Sequence, residues 1–308
     1  MKRFCLFLLL ALAAAGLLFY PEISAQAARD ALALCAQVIV PSLFPFFVLS
    51  SLIISTGGAE IFAALLGGSM SLLFGLSSAG ASAFALGLVG GYPVGARTVG
   101  ELYARGALRR RDAERLLGFC NNAGPGFILG ICGSAVFHSA RVGVYLYLVH
   151  VAAALFSGML LCRDLPRRGG AERNEPNRQR DVPFAPLFSA AVQSALSGIL
   201  NVCAFVVLFM VLLQLISAVF PTSFAALPIY PLLPGCVEMT NGITLLSPSR
   251  TGFVFCAVLL GWGGLSVHAQ TLSVLGDSNL SMRYYWCGKI MQAVLSAPLA
   301  YLVSFFLF

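Results

Sequence analysis

Two long stretches of this 308-residue chain are almost free of charge. Between Ala31 and Ala96 the only charged residue is Glu60, and between Val182 and Ser249 the only one is Glu238. A soluble fold needs charged side chains recurring along its surface. A bilayer core instead demands runs of about 20 mainly apolar residues. Only 10% of the residues are charged and 59% are apolar, against roughly a quarter charged in ordinary soluble domains. Within lipid every backbone N–H and C=O must find a partner inside the chain. The fold expected is therefore all-α, a polytopic membrane protein.

The cations gather in three places: Lys2 and Arg3; Arg97, Arg105, Arg109, Arg110, Arg111 and Arg115; and Arg163, Arg167, Arg168, Arg173, Arg178 and Arg180. The positive-inside rule puts all three in the cytoplasm. Ten segments satisfy it, some of them broken or re-entrant: residues 4–20, 31–54, 61–76, 79–94, 118–137, 142–162, 188–220, 227–246, 253–275 and 286–308. The net charge of +7 then records orientation and does not call for nucleic acid. Lys2 and Arg3, an apolar run and Ala25-Gln26-Ala27 also fit a cleavable signal peptide. Residues 1–23 are read as an anchor helix, since a polytopic chain can keep its first helix. The nine cysteines form no C-x-x-C pair and read as small packing residues; neither a metal nor a cofactor is expected.

Leu116-Leu117-Gly118-Phe119 reappears as Leu259-Leu260-Gly261-Trp262, and Gly90-Gly91-Tyr92-Pro93 has a counterpart in Pro234-Gly235-Cys236-Val237. The offset is nearly constant, about 143 residues. The organisation expected is an anchor (1–23), a first membrane repeat (24–162), a cytoplasmic Arg-rich linker (163–186) and a second repeat (187–308), the two repeats being inverted. Duplicated halves of this kind are the usual construction of secondary transporters, whose sites lie near the midplane at the repeat interface.

Helix breakers coincide with polar groups at several points. Pro45 lacks an amide hydrogen and its ring opposes the carbonyl of Pro41. Gly91 and Pro93 fall in a glycine-rich run leading to Arg97, with Tyr92 between them. Asn121 and Asn122 precede Gly124-Pro125-Gly126, where two amides and a following helix N-terminus suit an anion. Glu238, Thr240 and Asn241 form one further cluster; Ser266, His268 and Gln270 follow Gly261-Trp262-Gly263-Gly264. A carboxylate at membrane depth costs about 2.5 to 3.5 kcal/mol on insertion scales, so Glu238 is expected to face a partner or a cavity. Between Glu101 and Leu117 the apolar residues can share one side and the arginines the other, as in a helix lying at the cytoplasmic interface. The bland counterpart of each break is close helix packing, a helix cap or a satisfied interior histidine.

Taken together, residues 38–53 (VIVPSLFPFFVLSSLI), 90–103 (GGYPVGARTVGELY), 113–130 (AERLLGFCNNAGPGFILG), 238–243 (EMTNGI) and 261–270 (GWGGLSVHAQ) resemble the sporulation integral membrane proteins of the YlbJ type. Those carry a nucleoside-recognition, or gate, domain. The resemblance implies transport of a small anion, dipicolinate, from the mother cell across the outer forespore membrane. Dipicolinate is a planar dianion; the donors, cation and aromatic wall it needs are offered by Tyr92, Arg97, Asn121, Asn122, Asn241, His268 and Gln270. Glu238 suits instead the orienting of a donor, a coupling cation or a proton. The partners expected are thus the bilayer, the anionic solute and a coupling proton or cation. Other readings are a nucleoside-like or other organic solute, and a non-transporting sporulation membrane assembly protein. A membrane serine hydrolase would need Ser82 to meet His150 or His268, and Ser266 and His268 are too close in sequence to face one another on a helix. The chain is not expected to be an enzyme.

Overall fold

A computed structural model describes residues 2–56, 58–165, 183–219, 227–276 and 278–308; most of the linker expected at 163–186 lies outside them. The described residues are helical throughout. In order they form α1 (Lys2–Phe19), α2 (Pro21–Leu34), a π-helical stretch (Cys35–Ile39), α3 (Val40–Ser55), α4 (Gly58–Phe74), α5 (Ala79–Gly90), α6 (Val94–Ala104) and α7 (Arg110–Cys120). A second π-helical stretch (Gly126–Val136) leads to α8 (Ala140–Leu161), α9 (Phe184–Val219), α10 (Leu232–Val237), α11 (Met239–Thr244), α12 (Arg250–Trp262), α13 (Gly264–Leu275) and α14 (Arg283–Ser304).

Among the described residues five helices are long and apolar enough to cross a membrane: Pro21–Ile53, Ala140–Leu161, Phe184–Ala218, Arg250–Leu275 and Arg283–Ser304. A sixth is reached if Ala64–Phe74 and Ala79–Gly90, bent by 103°, count as one span. This corrects the ten segments expected from hydropathy. The chain is an integral multi-pass membrane protein, but glycine and proline cut several apolar runs into half-length helices.

Two of those runs turn back on themselves. α5 and α6 form a helical hairpin whose arms are pinned at Gly87 and Gly95, where a Cβ on Gly87 would lie 3.1 Å from the Gly95 Cα. The tip is Gly91-Tyr92-Pro93, so residues 79–94 are one arm and the turn of a hairpin and not a straight span of their own. α10 and α11 form a shorter hairpin pinned where Gly235 meets Gly242, with Glu238 at its tip. The two hairpins open toward opposite ends of the molecule. α6 runs into the Arg-rich turn before α7, whereas α11 leads to Ser249 and Arg250, whose guanidinium stacks on Phe305 at 4.4 Å.

Two further sequence expectations are corrected. Pro41 and Pro45 do not break their helix: Pro21–Ile53 runs through both. A π-helical stretch ends just before Pro41, where Val40 N donates to Cys35 O five residues back, and the wider turn leaves room for the Pro41 ring; Pro45 lies inside α3. Nor is residues 101–117 one interfacial helix. α6 ends at Ala104, Gly106 turns the chain at φ +73, and α7 begins at Arg110.

Within α7, Arg115 is buried and does not lie on the wet face. It donates to Leu161 O, chelates Asp164 through two hydrogen bonds of 2.5 and 2.7 Å, and packs over the Tyr284 ring at 4.7 Å. One guanidinium thus ties α7, the end of α8 and the start of α14 together at the Arg-rich end. At the other end Arg141 and Arg250 reach the backbone oxygens of Phe306 and Phe308.

Candidate functional site

The two hairpin tips meet two interrupted helices. α7 stops at Cys120, Asn121 is extended (φ −94, ψ 96), and helix resumes at Gly126. α12 stops at Trp262, and Gly263 takes the left-handed conformation (φ +91) before α13. The first tip lies on the first interruption: a Cβ on Gly91 would sit 2.9 Å from Gly124 N. The second tip lies on the second, where a Cβ on Gly264 would sit 3.0 Å from Met239 N. Across the two assemblies, Tyr92 Oη donates to Leu260 O at 3.1 Å.

A cavity of about 50 Å³ opens where these parts converge. Its polar lining comes from Tyr92, Glu238, Thr240 and Gln270, its backbone walls from Gly91 and Gly124, and its aromatic walls from Phe46, Phe47 and Phe127. The cavity is large enough for a few waters.

Glu238 is 2% exposed. It caps the short α11, accepting from Thr240 N at 3.1 Å and Asn241 N at 2.6 Å. Backbone amides thus meet the carboxylate. Gln270 bonds Ser266 Oγ at 3.5 Å, and both are buried.

Asn121 and Asn122 stand one layer behind the cavity. Asn121 Nδ2 donates to Thr271 Oγ1 at 2.8 Å, and Asn122 Nδ2 to Phe119 O at 2.8 Å. Thr271 also receives Tyr285 Oη at 3.2 Å, and Tyr285 Oη meets His268 Nδ1 at 2.7 Å. His268 is boxed by the rings of Trp262, Trp286 and Tyr285 at 4.4, 4.6 and 5.4 Å. His150 Nε2 accepts from Ala123 N at 3.1 Å and so holds the break between α7 and its continuation. Asn121 Oδ1, His150 Nδ1 and His268 Nε2 are buried without a hydrogen-bond partner.

Arg97 does not join the site. Its side chain is 59% exposed and lies 3.6 Å from Glu101, which is 53% exposed; one helical turn beyond the hairpin tip carries it out to the Arg-rich end. Pro93 precedes α6 and Pro125 precedes the second π-helical stretch. Pro41 and Pro45 lie away from the tips, although Leu43, Phe46 and Phe47 of the same helix wall the cavity. Ser82 Oγ donates to Ala79 O in its own helix at 2.7 Å, and both candidate histidines bond elsewhere.

Behind the cavity lies Lys289, which sequence reasoning passed over. It is 0% exposed. Its Nζ donates to Gln292 Oε1 at 2.7 Å, Asn121 O at 3.1 Å and Tyr92 Oη at 3.3 Å. Gln292 Nε2 in turn donates to Asn122 Oδ1 at 3.0 Å. Tyr285, Lys289, Gln292 and Ser296 are all fully buried on one stripe of α14, at helical spacing. The available signal was a lysine inside an apolar segment of 22 residues, the kind of residue that marks a functional site in a span.

Comparison with known proteins gives two matches. Residues 36–163 match the family model described as "Gate: Nucleoside recognition"; that region contains the first hairpin, the α7 interruption and α8. The chain is similar to the sporulation integral membrane protein YlbJ of Bacillus subtilis (strain 168), 28% identical over 322 aligned residues that cover 92% of this chain and 78% of that protein. No solved structure matches.

Proposed function

We propose that this protein, a distant homologue of a sporulation integral membrane protein, is a transporter that carries a small organic anion between its two hairpin tips. The observation that carries this reading is the convergence of Gly91-Tyr92 and Glu238 on one buried cavity, each tip seated on an interrupted helix. Irregular backbone at membrane depth persists where it lines a cavity, and paired discontinuous helices are how secondary transporters build midplane sites. Buried polar atoms without a partner at Asn121, His150 and His268 add to this, because such atoms call for an explanation and a bound water or solute is one. Tyr92, Asn121, Asn122, Glu238, Thr240, Asn241, Ser266, His268 and Gln270 form or support the site.

The two halves are read as an inverted repeat. α8 and α14 are both 22 residues long and begin about 143 residues apart, and the hairpin preceding each interrupted helix enters from the opposite end. The Arg-rich end is assigned to the cytoplasm by the positive-inside rule.

The solute is dipicolinate, moved from the mother cell across the outer forespore membrane, as the resemblance in the tip motifs implies. Aromatic walls suit its flat ring; Thr240 and Gln270 offer donors for its carboxylates. Glu238 would repel a dianion in direct contact, so it orients the tip through the α11 amides or carries a coupling proton. The family description favours a second reading, a nucleoside-like solute. Spores of a strain lacking the protein are expected to hold little dipicolinate while the mother cell still makes it; normal spore content would refute the assignment.

A further inference from the structure

We infer that Lys289 supplies the charge that makes this cavity take anions in preference to neutral solutes of the same shape. The inference rests on the transport reading and assigns its specificity.

The hydrogen-bond network around Lys289 Nζ is arranged to receive an ammonium. Each of its three partners presents an oxygen to it. The Tyr92 hydrogen is committed to Leu260 O, a carbonyl that cannot donate, at 3.1 Å, so a lone pair faces Nζ. Asn121 presents its backbone carbonyl. Asn122 must direct Nδ2 to Phe119 O, which turns its Oδ1 toward Gln292; Gln292 then gives Nε2 to that oxygen and leaves Oε1 for Nζ. Three oxygens around Nζ match the three N–H donors of an ammonium. A neutral amine has two and an ammonium has three.

The ammonium has no counter-ion. None of the ion pairs among the described residues includes Lys289, and its oxygen partners are all neutral. A buried charge is ordinarily paired, and an intramembrane one faces a pathway. Here one aromatic ring separates it from the cavity: Nζ lies 5.3 Å from the centre of the Tyr92 ring, and Tyr92 lines the cavity. The one carboxylate on the cavity wall, Glu238, is already met by two amides. An arriving anion would be the partner that the protein withholds. Lys289 acts through Tyr92 and the Asn121 carbonyl, as a specificity-determining and positioning residue.

The test compares two solutes of one shape in vesicles reconstituted with the full-length protein: pyridine-2,6-dicarboxylate and uncharged pyridine-2,6-dicarboxamide. Wild type is expected to favour the dicarboxylate. In Lys289→Gln the uptake ratio of dicarboxylate to dicarboxamide should fall at least tenfold, while Lys289→Arg keeps it within about threefold of wild type. The ratio is internal to each preparation, so a mere loss of folded protein does not move it; Lys289→Met replaces the Gln variant if that variant does not reach the membrane. An unchanged ratio, or equal loss for both solutes, overturns the role of Lys289 while the transport reading stands. Uptake of neither solute by wild type overturns both.

Discussion

Gly91 and Gly124 lie backbone against backbone: a Cβ added to Gly91 would fall 2.9 Å from Gly124 N, and one added to Gly124 would fall 3.0 Å from Gly91 Cα. The first hairpin tip is therefore keyed into the α7 interruption at a point where no side chain fits. Gly91 also holds φ +75 and ψ −170, a region open essentially to glycine alone that costs other residues about 1–3 kcal/mol. Close approach and backbone conformation thus demand glycine at the same place.

Gly91→Ala is expected to lower stability by about 2–4 kcal/mol, the conformational cost plus the shift needed to relieve contact. A fall in melting temperature of the detergent-purified protein would report it. An unaltered melting curve would mean that the tip is not seated on Gly124.

Glu238→Gln should leave the protein in the membrane but reduce transport several-fold. The amide keeps one acceptor for the α11 N–H groups and loses the second, and loss of a cap costs about 1 kcal/mol. Vesicle uptake alongside immunoblotting of the membrane fraction would check this. Full uptake would remove Glu238 from the mechanism.

The sequence made the membrane class and the polar clusters legible because charge is costly in lipid and its absence shows over long windows. The same windows concealed the spans. Hydropathy does not distinguish a straight crossing from a hairpin whose tip turns at Gly91-Tyr92-Pro93, so residues 79–94 read as one of ten segments without showing which of them are broken. Pro41 and Pro45 misled in the opposite direction: the helix Pro21–Ile53 runs through both, with a π-helical stretch just before Pro41. Arg97 follows a glycine-rich run and reads as part of it, yet only the hairpin's geometry determines which residues face inward. Lys289 carries the same kind of signal as Glu238, a lone charge at depth, but its segment is apolar enough to pass as an ordinary span. Its three partners come from residues 92, 121 and 292, two of them distant in sequence and joined to it only by folding.

Arg97→Ala should transport within about twofold of wild type. Its ion pair with Glu101 is exposed on both sides and pairs of this kind contribute roughly 0–1 kcal/mol. A tenfold loss in vesicle uptake would show that Arg97 reaches the solute in another conformation.

Tyr92→Phe removes the bond to Leu260 O and one acceptor of Lys289. Leaving a buried donor short of a partner costs about 1–3 kcal/mol. The expected outcome is a protein less stable to heat in detergent and slower in uptake; wild-type behaviour in both assays would show that the hydroxyl is dispensable.

Asp164 titrates at the Arg-rich end. Hydrogen bonding to the Arg115 guanidinium holds its carboxyl below the usual value. A carboxylate with a lowered folded pKa contributes stability above its unfolded pKa and loses it as pH falls through the folded value. The Arg115 clamp should therefore weaken on acidification, and Asp164→Asn should abolish that part of the pH dependence in melting curves recorded from neutral to acid pH. An identical pH profile in the variant would assign the acid sensitivity elsewhere.

Uptake of labelled dipicolinate by vesicles containing the purified full-length protein bears most directly on the central claim. Saturable accumulation above that of protein-free vesicles is expected, diminished when unlabelled dipicolinate competes. Accumulation no greater than in protein-free vesicles would contradict it.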